Sequence, residues 1–322
     1  MAGYVRQAGG PGAAGTLPTR ATTALLHDLA PPDLLALLGD KLRSGAWLRS
    51  IGVPTPEVVA IIRGPDDLAA TAPLWRGPRD LFVKPVTGRR GAGGFRLTVL
   101  ADGTARVDDR PAVAISEVAR HLAARSRDRT LLAQVRLNSD SVLPFAVPGV
   151  HAPFVRLTVL KPPGRPAIVH DGYVVVHASG RPAGTGPADT IRYPVDPATG
   201  AILPGVRFDG STERFTHDPA SGVQVAGHSL PDFAGLAALV CRASDALERI
   251  AVVGWDVILT ADGPVILEGN TGLAWAGANI WHLETGRPSR MSSVLADLVR
   301  ATGLPDRPAA SSLGDNRRGG RK

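Results

Sequence analysis

Cysteine is almost missing from this chain: there is one, Cys241, in 322 residues. A lone thiol excludes any intrachain disulfide framework. Its place in the apolar run 236–241 is that of a buried structural residue rather than a nucleophile. No stretch of about 18 uncharged apolar residues occurs, so no membrane-spanning helix is expected. The Gly/Ala-rich start lacks the apolar core of a secretory leader, and a cytoplasmic location is the expectation. Aromatic residues are only 5%. With arginines scattered rather than striped, the net charge of +7 does not point to nucleic acid, whose single strands need more stacking rings. Part of the positive excess lies in the tail 317–322, and phosphorylated small molecules or acidic carriers fit the remainder better.

Lysine is scarce too. It occurs four times, at Lys41, Lys84, Lys161 and Lys322, and arginine supplies the rest of the 36 basic residues. A chain that uses arginine for most cations and keeps an internal lysine marks a place where a compact ammonium is wanted.

What is present is ample core material. A hydrophobic content of 44% over this length suits a globular protein of two or three lobes. We expect residues 1–20 and the basic tail 305–322 to be disordered. Residues 21–137 should form an N-terminal helix and a first α+β lobe, and residues 138–304 a second. Asp33 looks like the N-cap of one helix running to Gly52, with leucines at helical spacing. Strands are expected at 58–62, 81–85, 95–100, 104–107, 130–137, 154–161 and 167–178. Short helices are expected at 66–72 and from the cap Ser116 to 125. Residues 179–233, rich in Gly, Pro and Asp, read as irregular, and so long a stretch is usually functional. Helices at 233–249 and 292–301 flank a last hairpin, 252–268.

Two stretches carry chemistry. In the first, a buried strand delivers Lys84 and then Pro85, followed by a turn holding Gly88, Gly91, Gly93 and Gly94. Glycines let backbone N–H groups approach phosphate oxygens, and the lysine adds a point charge. The lysine precedes the glycines, so this is not a Walker A loop.

In the second, a three-residue loop Ala261-Asp262-Gly263, with Gly263 left-handed, pairs Thr260 with Pro264. Asp256 then faces Glu268 at about 5 Å between β-carbons, and Asn270 shares that face. Val257, Leu259, Val265 and Leu267 make the opposite, apolar face. Two opposed carboxylates repel unless compensated, and a hard cation such as Mg²⁺ does this with carboxylate oxygens, phosphates and water. A two-residue turn would put the acids on opposite faces.

The order of these elements is similar to that of the ATP-grasp superfamily, and most like its sugar-transfer-associated group. The segments that carry the likeness are 216–222 (THDPASG), 227–231 (GHSLP) and 254–256 (GWD) through 268–270 (EGN). The resemblance implies an ATP-grasp fold of two α+β lobes enclosing a nucleotide cleft. Lys41 and Lys84 would contact ATP phosphates, and Gly91, Gly93 and Gly94 would fold over them. Gln134, Arg136 and Leu137 would form the adenine-side hinge, with Asp140 a candidate ribose ligand. Asp256, Glu268 and Asn270 would hold one or two Mg²⁺ ions, or Mn²⁺. Arg156 would neutralise the γ-phosphate or an acceptor carboxylate, acting with Lys84 in catalysis. The implied activity is a ligase that makes an acyl phosphate for an amine or thiol to attack, on a sugar-linked or secondary-metabolite substrate. A small-molecule kinase and a non-catalytic ATP-binding module are the alternatives. The stretch before Lys41 is too short for the Rossmann-like domain of many such ligases. Lys161, at a strand end before Pro162-Pro163-Gly164, suits a solvated role as well as a functional one, and His217 and His228 are given no catalytic part.

Overall fold

A computed structural model describes residues 19–88, 93–147, 152–177, 189–273 and 276–302. Of the stretches expected to be disordered, 1–20 and 305–322, residues 1–18 and 305–322 lie outside them, as do Gly91 and its neighbours 89–92, while residues 19 and 20 begin a helix instead. Three helices open the chain: α1 (Thr19–Leu29), α2 (Pro32–Gly39) and α3 (Lys41–Ser50). The single helix expected from Asp33 is two. Asp40 breaks it and caps the second, its Oδ1 accepting from the Leu42 and Arg43 amides. Asp33 lies in the first turn of α2 rather than at its cap, where Pro31 and Pro32 fix the backbone instead.

The first sheet comprises β1 (Val58–Ile62), β2 (Arg79–Pro85), β3 (Phe95–Val99), β4 (Thr104–Val107), β5 (Val113–Ala114) and β6 (Leu131–Val135). Its order is β1-β6-β2-β3-β4-β5, with every pairing antiparallel. A 3-10 turn at Leu68–Trp75 replaces the expected short helix. Helix α4 (Ile115–Arg125) is capped at Ala114, two residues ahead of the expected serine cap and without a side-chain bond. Alternation along β2 sends Leu81 and Val83 into one core with Leu97, Val118 and Leu122. It leaves Asp80, Phe82 and Lys84 on the other face.

The second sheet runs β11 (Gly263–Asn270), β10 (Val252–Thr260), β7 (Phe154–Leu160), β8 (Ile168–His177), β9 (Thr190–Pro194), again antiparallel. Strand β9 falls inside the stretch expected to be irregular, which otherwise holds only isolated bridges among its described residues. Helix α5 (Phe233–Asp245) covers one face of this sheet. There Trp255, fully buried, donates from its indole to Ser244 Oγ at 2.8 Å. Gly269 opposes Trp255, and a β-carbon there would lie 2.7 Å from the indole. Ala30, Leu38, Leu48 and Val53 join the same core, so α2 and α3 pack with the second sheet. A 3-10 turn (Gly277–Asn279) and helices α6 (Ile280–Thr285) and α7 (Met291–Thr302) close the chain. No helix among the described residues is long and apolar enough to cross a membrane.

Candidate functional site

The β10–β11 hairpin brings Asp256 opposite Glu268, by a route different from the expected one. Thr260 pairs with Gly263, so the loop is the two residues Ala261-Asp262, with Gly263 at φ +110°. By itself that register would separate the acids. A bulge at Leu267, between the pairs Val257–Ile266 and Asp256–Glu268, restores it. Ile266, not Val265, therefore joins Val257 and Leu259 on the buried face, and Val265 pairs with Ile258 on the acidic one.

A row of side chains crosses the sheet on that acidic face: Glu268, Asp256, Arg156 and Tyr173, each opposite the next on β11, β10, β7 and β8. Arg156 grips Asp256 with two bonds of 2.5 Å, Nε to Oδ1 and Nη2 to Oδ2. Its Nη1 points at the Tyr173 hydroxyl, 3.5 Å away. Asn270 Nδ2 donates to Asp256 Oδ2 at 3.2 Å. Burial raises the Asp256 carboxyl above its ordinary value, and Arg156 and Asn270 pull against that. Burial also opposes the Arg156 charge, but Asp256, Tyr173 and Glu268 outweigh it and hold the guanidinium well above its ordinary value.

Lys41 ties the first sheet to this row. Its Nζ donates to the Gly88 carbonyl at 3.0 Å and lies 3.7 Å from Glu268 Oε2. Its amide donates to the Val86 carbonyl at 3.1 Å. Lys84, on the strand that leads into the Gly-rich loop, is lowered below its ordinary value by burial, while Glu268 and Asp256 pull it up and Lys41 pushes it down. Five groups, four from the two sheets and one from α3, thus share one field: Lys41, Lys84, Arg156, Asp256 and Glu268. Arginine alone could not make this arrangement so compact.

Gln134 is buried on β6, paired with Val58 on one side and Phe82 on the other, so it is not on an edge strand. It shares the face of Phe82 and Lys84. Arg136 is held on the first sheet, its Nη1 3.1 Å from Asp80, which also takes two bonds from Arg96. Leu137 follows, half-buried, and Asp140 sits in the next turn. Gly93, at φ +82°, accepts from Arg125 Nη1 at 3.3 Å, and Gly94 leads into β3. Lys161 donates to the Asp245 carbonyl at the end of α5, a structural contact. His217 bonds Thr216, and His228 lies against Phe145. Burial raises the Cys241 thiol. Sequence reasoning missed Tyr173; strand alternation from Arg156's neighbour strand was the available signal.

Comparisons with known proteins decide the fold. D-alanyl-alanine synthetase A from Vibrio cholerae superposes with TM-score 0.51 at 12% identity, over 85% of this chain and 67% of that one. VanG D-Ala:D-Ser ligase from Enterococcus faecalis gives 0.50 at 16%, over 82% and 62%. This chain has the ATP-grasp fold. Within the ATP-grasp proteins, residues 186–286 match the family described as sugar-transfer associated ATP-grasp. No curated protein matches in sequence. The chain spans about two thirds of the length of the two ligase structures.

Among the described residues no group of three or more His, Cys, Asp or Glu could hold a metal. The row on the second sheet, with Asn270 beside it, offers two carboxylates and one amide instead. That all-oxygen, ligand-poor set fits Mg²⁺, which completes its octahedron with phosphate and water oxygens, better than a metal that needs a full protein cage.

Proposed function

We propose that this chain is an ATP- and Mg²⁺-dependent ligase that joins a carboxylate to an amine or thiol. The convergence of Asp256, Glu268 and Asn270 with Lys41, Lys84 and Arg156 carries the reading. The proposed chemistry transfers the γ-phosphoryl of ATP to a carboxylate oxygen, giving an acyl phosphate and ADP. The amine or thiol then attacks the acyl carbon and releases inorganic phosphate.

Little covalent work falls to the protein in such a transfer; positioning and charge neutralisation dominate. Asp256, Glu268 and Asn270 would hold the magnesium, which when bound neutralises phosphate charge. Lys41 and Lys84 would meet phosphate oxygens beside the turn 88–94. Gln134, Arg136 and Leu137 would border the base, with Arg136 acting through its backbone because Asp80 holds its side chain. Arg156 would face the transferred phosphoryl or the acceptor carboxylate. The family match supports a sugar-linked acceptor, and the ligase structures support amide formation over a stable phosphoester.

The test is a magnesium-dependent ADP-release screen over carboxylates and amines, with mass detection of products. ADP, phosphate and a new amide or thioester are expected, and a stable phosphorylated product would replace the ligase with a kinase. Glu268→Ala should lower turnover about 10³-fold or more with the fold intact; near-normal turnover would end the proposal.

A further inference from the structure

Arg192 is a charged group that the row described above does not use. It lies on β9, opposite Val175, which is opposite Phe154. That places it on the face of Arg156 and Tyr173, one rung along. Its backbone is fixed by a pair of bonds with Val206, of 3.0 and 2.9 Å.

The guanidinium lies over two rings, its Cζ 4.5 Å from the Phe208 centroid and 5.9 Å from that of Tyr173. Rings satisfy the flat faces of a guanidinium and leave its N–H edge without acceptors. Arg192 Nη1 is enclosed and has no hydrogen-bond partner. No described carboxylate forms an ion pair with it; Asp189, just before β9, stands 3.8 Å from His177. The other cations of this face are engaged, Arg156 by Asp256 and Lys41 by Glu268. Arg192 is half-buried, and an enclosed charged donor such as its Nη1 is costly to leave without an acceptor unless an anion meets it.

Distance decides which anion. Strand β9 is three strands from β10, roughly 14 Å at ordinary strand spacing. The phosphates would sit at the Asp256 end. Arg192 therefore serves a group remote from the reacting one, with Tyr173 between its guanidinium and that of Arg156. Resting on the ligase reading, we propose that Arg192 anchors a second, non-reacting anionic oxygen group of the acceptor, a carboxylate or phosphate held edge-on by the guanidinium. The acceptor is then a bifunctional molecule with a remote anion. That anion fixes the orientation in which the other end meets the nucleotide.

The experiment uses the full chain and two probes, sodium acetate and inorganic phosphate. Each is titrated against the thermal midpoint, with sodium chloride at matched ionic strength as the control. The wild type should gain stability from one of the probes beyond chloride, saturating in the millimolar range, and the effective probe identifies the anion class. In Arg192→Gln the apparent dissociation constant should rise at least five-fold, while ATP–Mg²⁺ affinity by calorimetry stays within two-fold. Arg192→Lys keeps the charge but not the fork and should fall between. No probe effect in the wild type, or an equal effect in wild type and Arg192→Gln, overturns the site. If Arg192→Gln loses its cooperative transition, the lysine variant decides, and wild-type anion affinity in it is the overturning result. Failure of the ligase reading has a separate signature: no ATP–Mg²⁺ binding by the wild type, with the anion effect at Arg192 intact.

Discussion

Asp256 and Glu268 should be equal in function and unequal in stability. The Asp256 side chain is 7% exposed and its partner Arg156 23%, with two bonds of 2.5 Å between them. Removing one member of a buried pair leaves an uncompensated charge and costs about 3–5 kcal/mol. The partial exposure of Arg156 puts Asp256→Asn near the lower end, about 3 kcal/mol. Glu268 is 26% exposed and meets Lys41 only at 3.7 Å, so Glu268→Gln should cost less than about 1 kcal/mol. Thermal midpoints would then differ by roughly 3 °C between the two variants, at about 1.5 °C per kcal/mol for a chain of this size. Both variants should lose magnesium-dependent ATP binding by calorimetry, because either one removes a carboxylate from the same row. Scanning calorimetry on the two proteins, without nucleotide, measures the difference directly. Equal midpoints for the two would refute the claim that Arg156 and Asp256 form a buried pair.

Acid should weaken the fold through the second lobe's histidines. Burial pushes His170 down to about 4 from 6.5, where it bonds Asn279 and stacks on His282. A depressed histidine stays neutral in the folded chain and protonates in the unfolded one. Its contribution is therefore intact above pH 6.5 and lost as pH falls toward 4, by about 3 kcal/mol. Urea midpoints between pH 7.5 and 4.5 should show this slope, and His170→Gln should flatten it; an unchanged slope counts against the assignment. Gly200→Ala should destabilise by roughly 2–4 kcal/mol, since Gly200 holds φ +77° and a β-carbon would meet Phe233 at 2.7 Å. A thermal midpoint within a degree of wild type would be the contrary result.

Much of this architecture was legible in the residues, and the exceptions have identifiable causes. The rarity of lysine singled out Lys41 and Lys84, and both lie in the field of the acid row. The facing of Asp256 and Glu268 was also legible, but through two errors that cancelled. The loop is one residue shorter than the sequence suggested, and the bulge at Leu267 returns the register. Nothing local marks that bulge, because Leu267 suits a regular strand position equally well; only the pairing reveals it. Helix α1 was missed because threonine, three of its first five residues, is a weak helix former and its first turn holds no acidic residue; its stability comes from Leu26 in a core with Leu160 and Leu295. Strand β9 was missed because Pro194 ends it within a stretch dense in turn residues. Its Ile191 and Tyr193 gain their place from the core of the neighbouring strands. Arg192 went unnoticed with it, so a strand overlooked became a charged group overlooked.

The indole behind Asp256 has a further consequence. Trp255 is anchored to α5 through Ser244 and is pressed by Gly269 from the partner strand. Adjacent residues on a strand move together, so Asp256 cannot swing away unless the indole leaves its slot. The freedom of that carboxylate is surrendered when the lobe folds rather than when a ligand arrives. Whatever docks on it meets a rigid fixture and loses no affinity to ordering it.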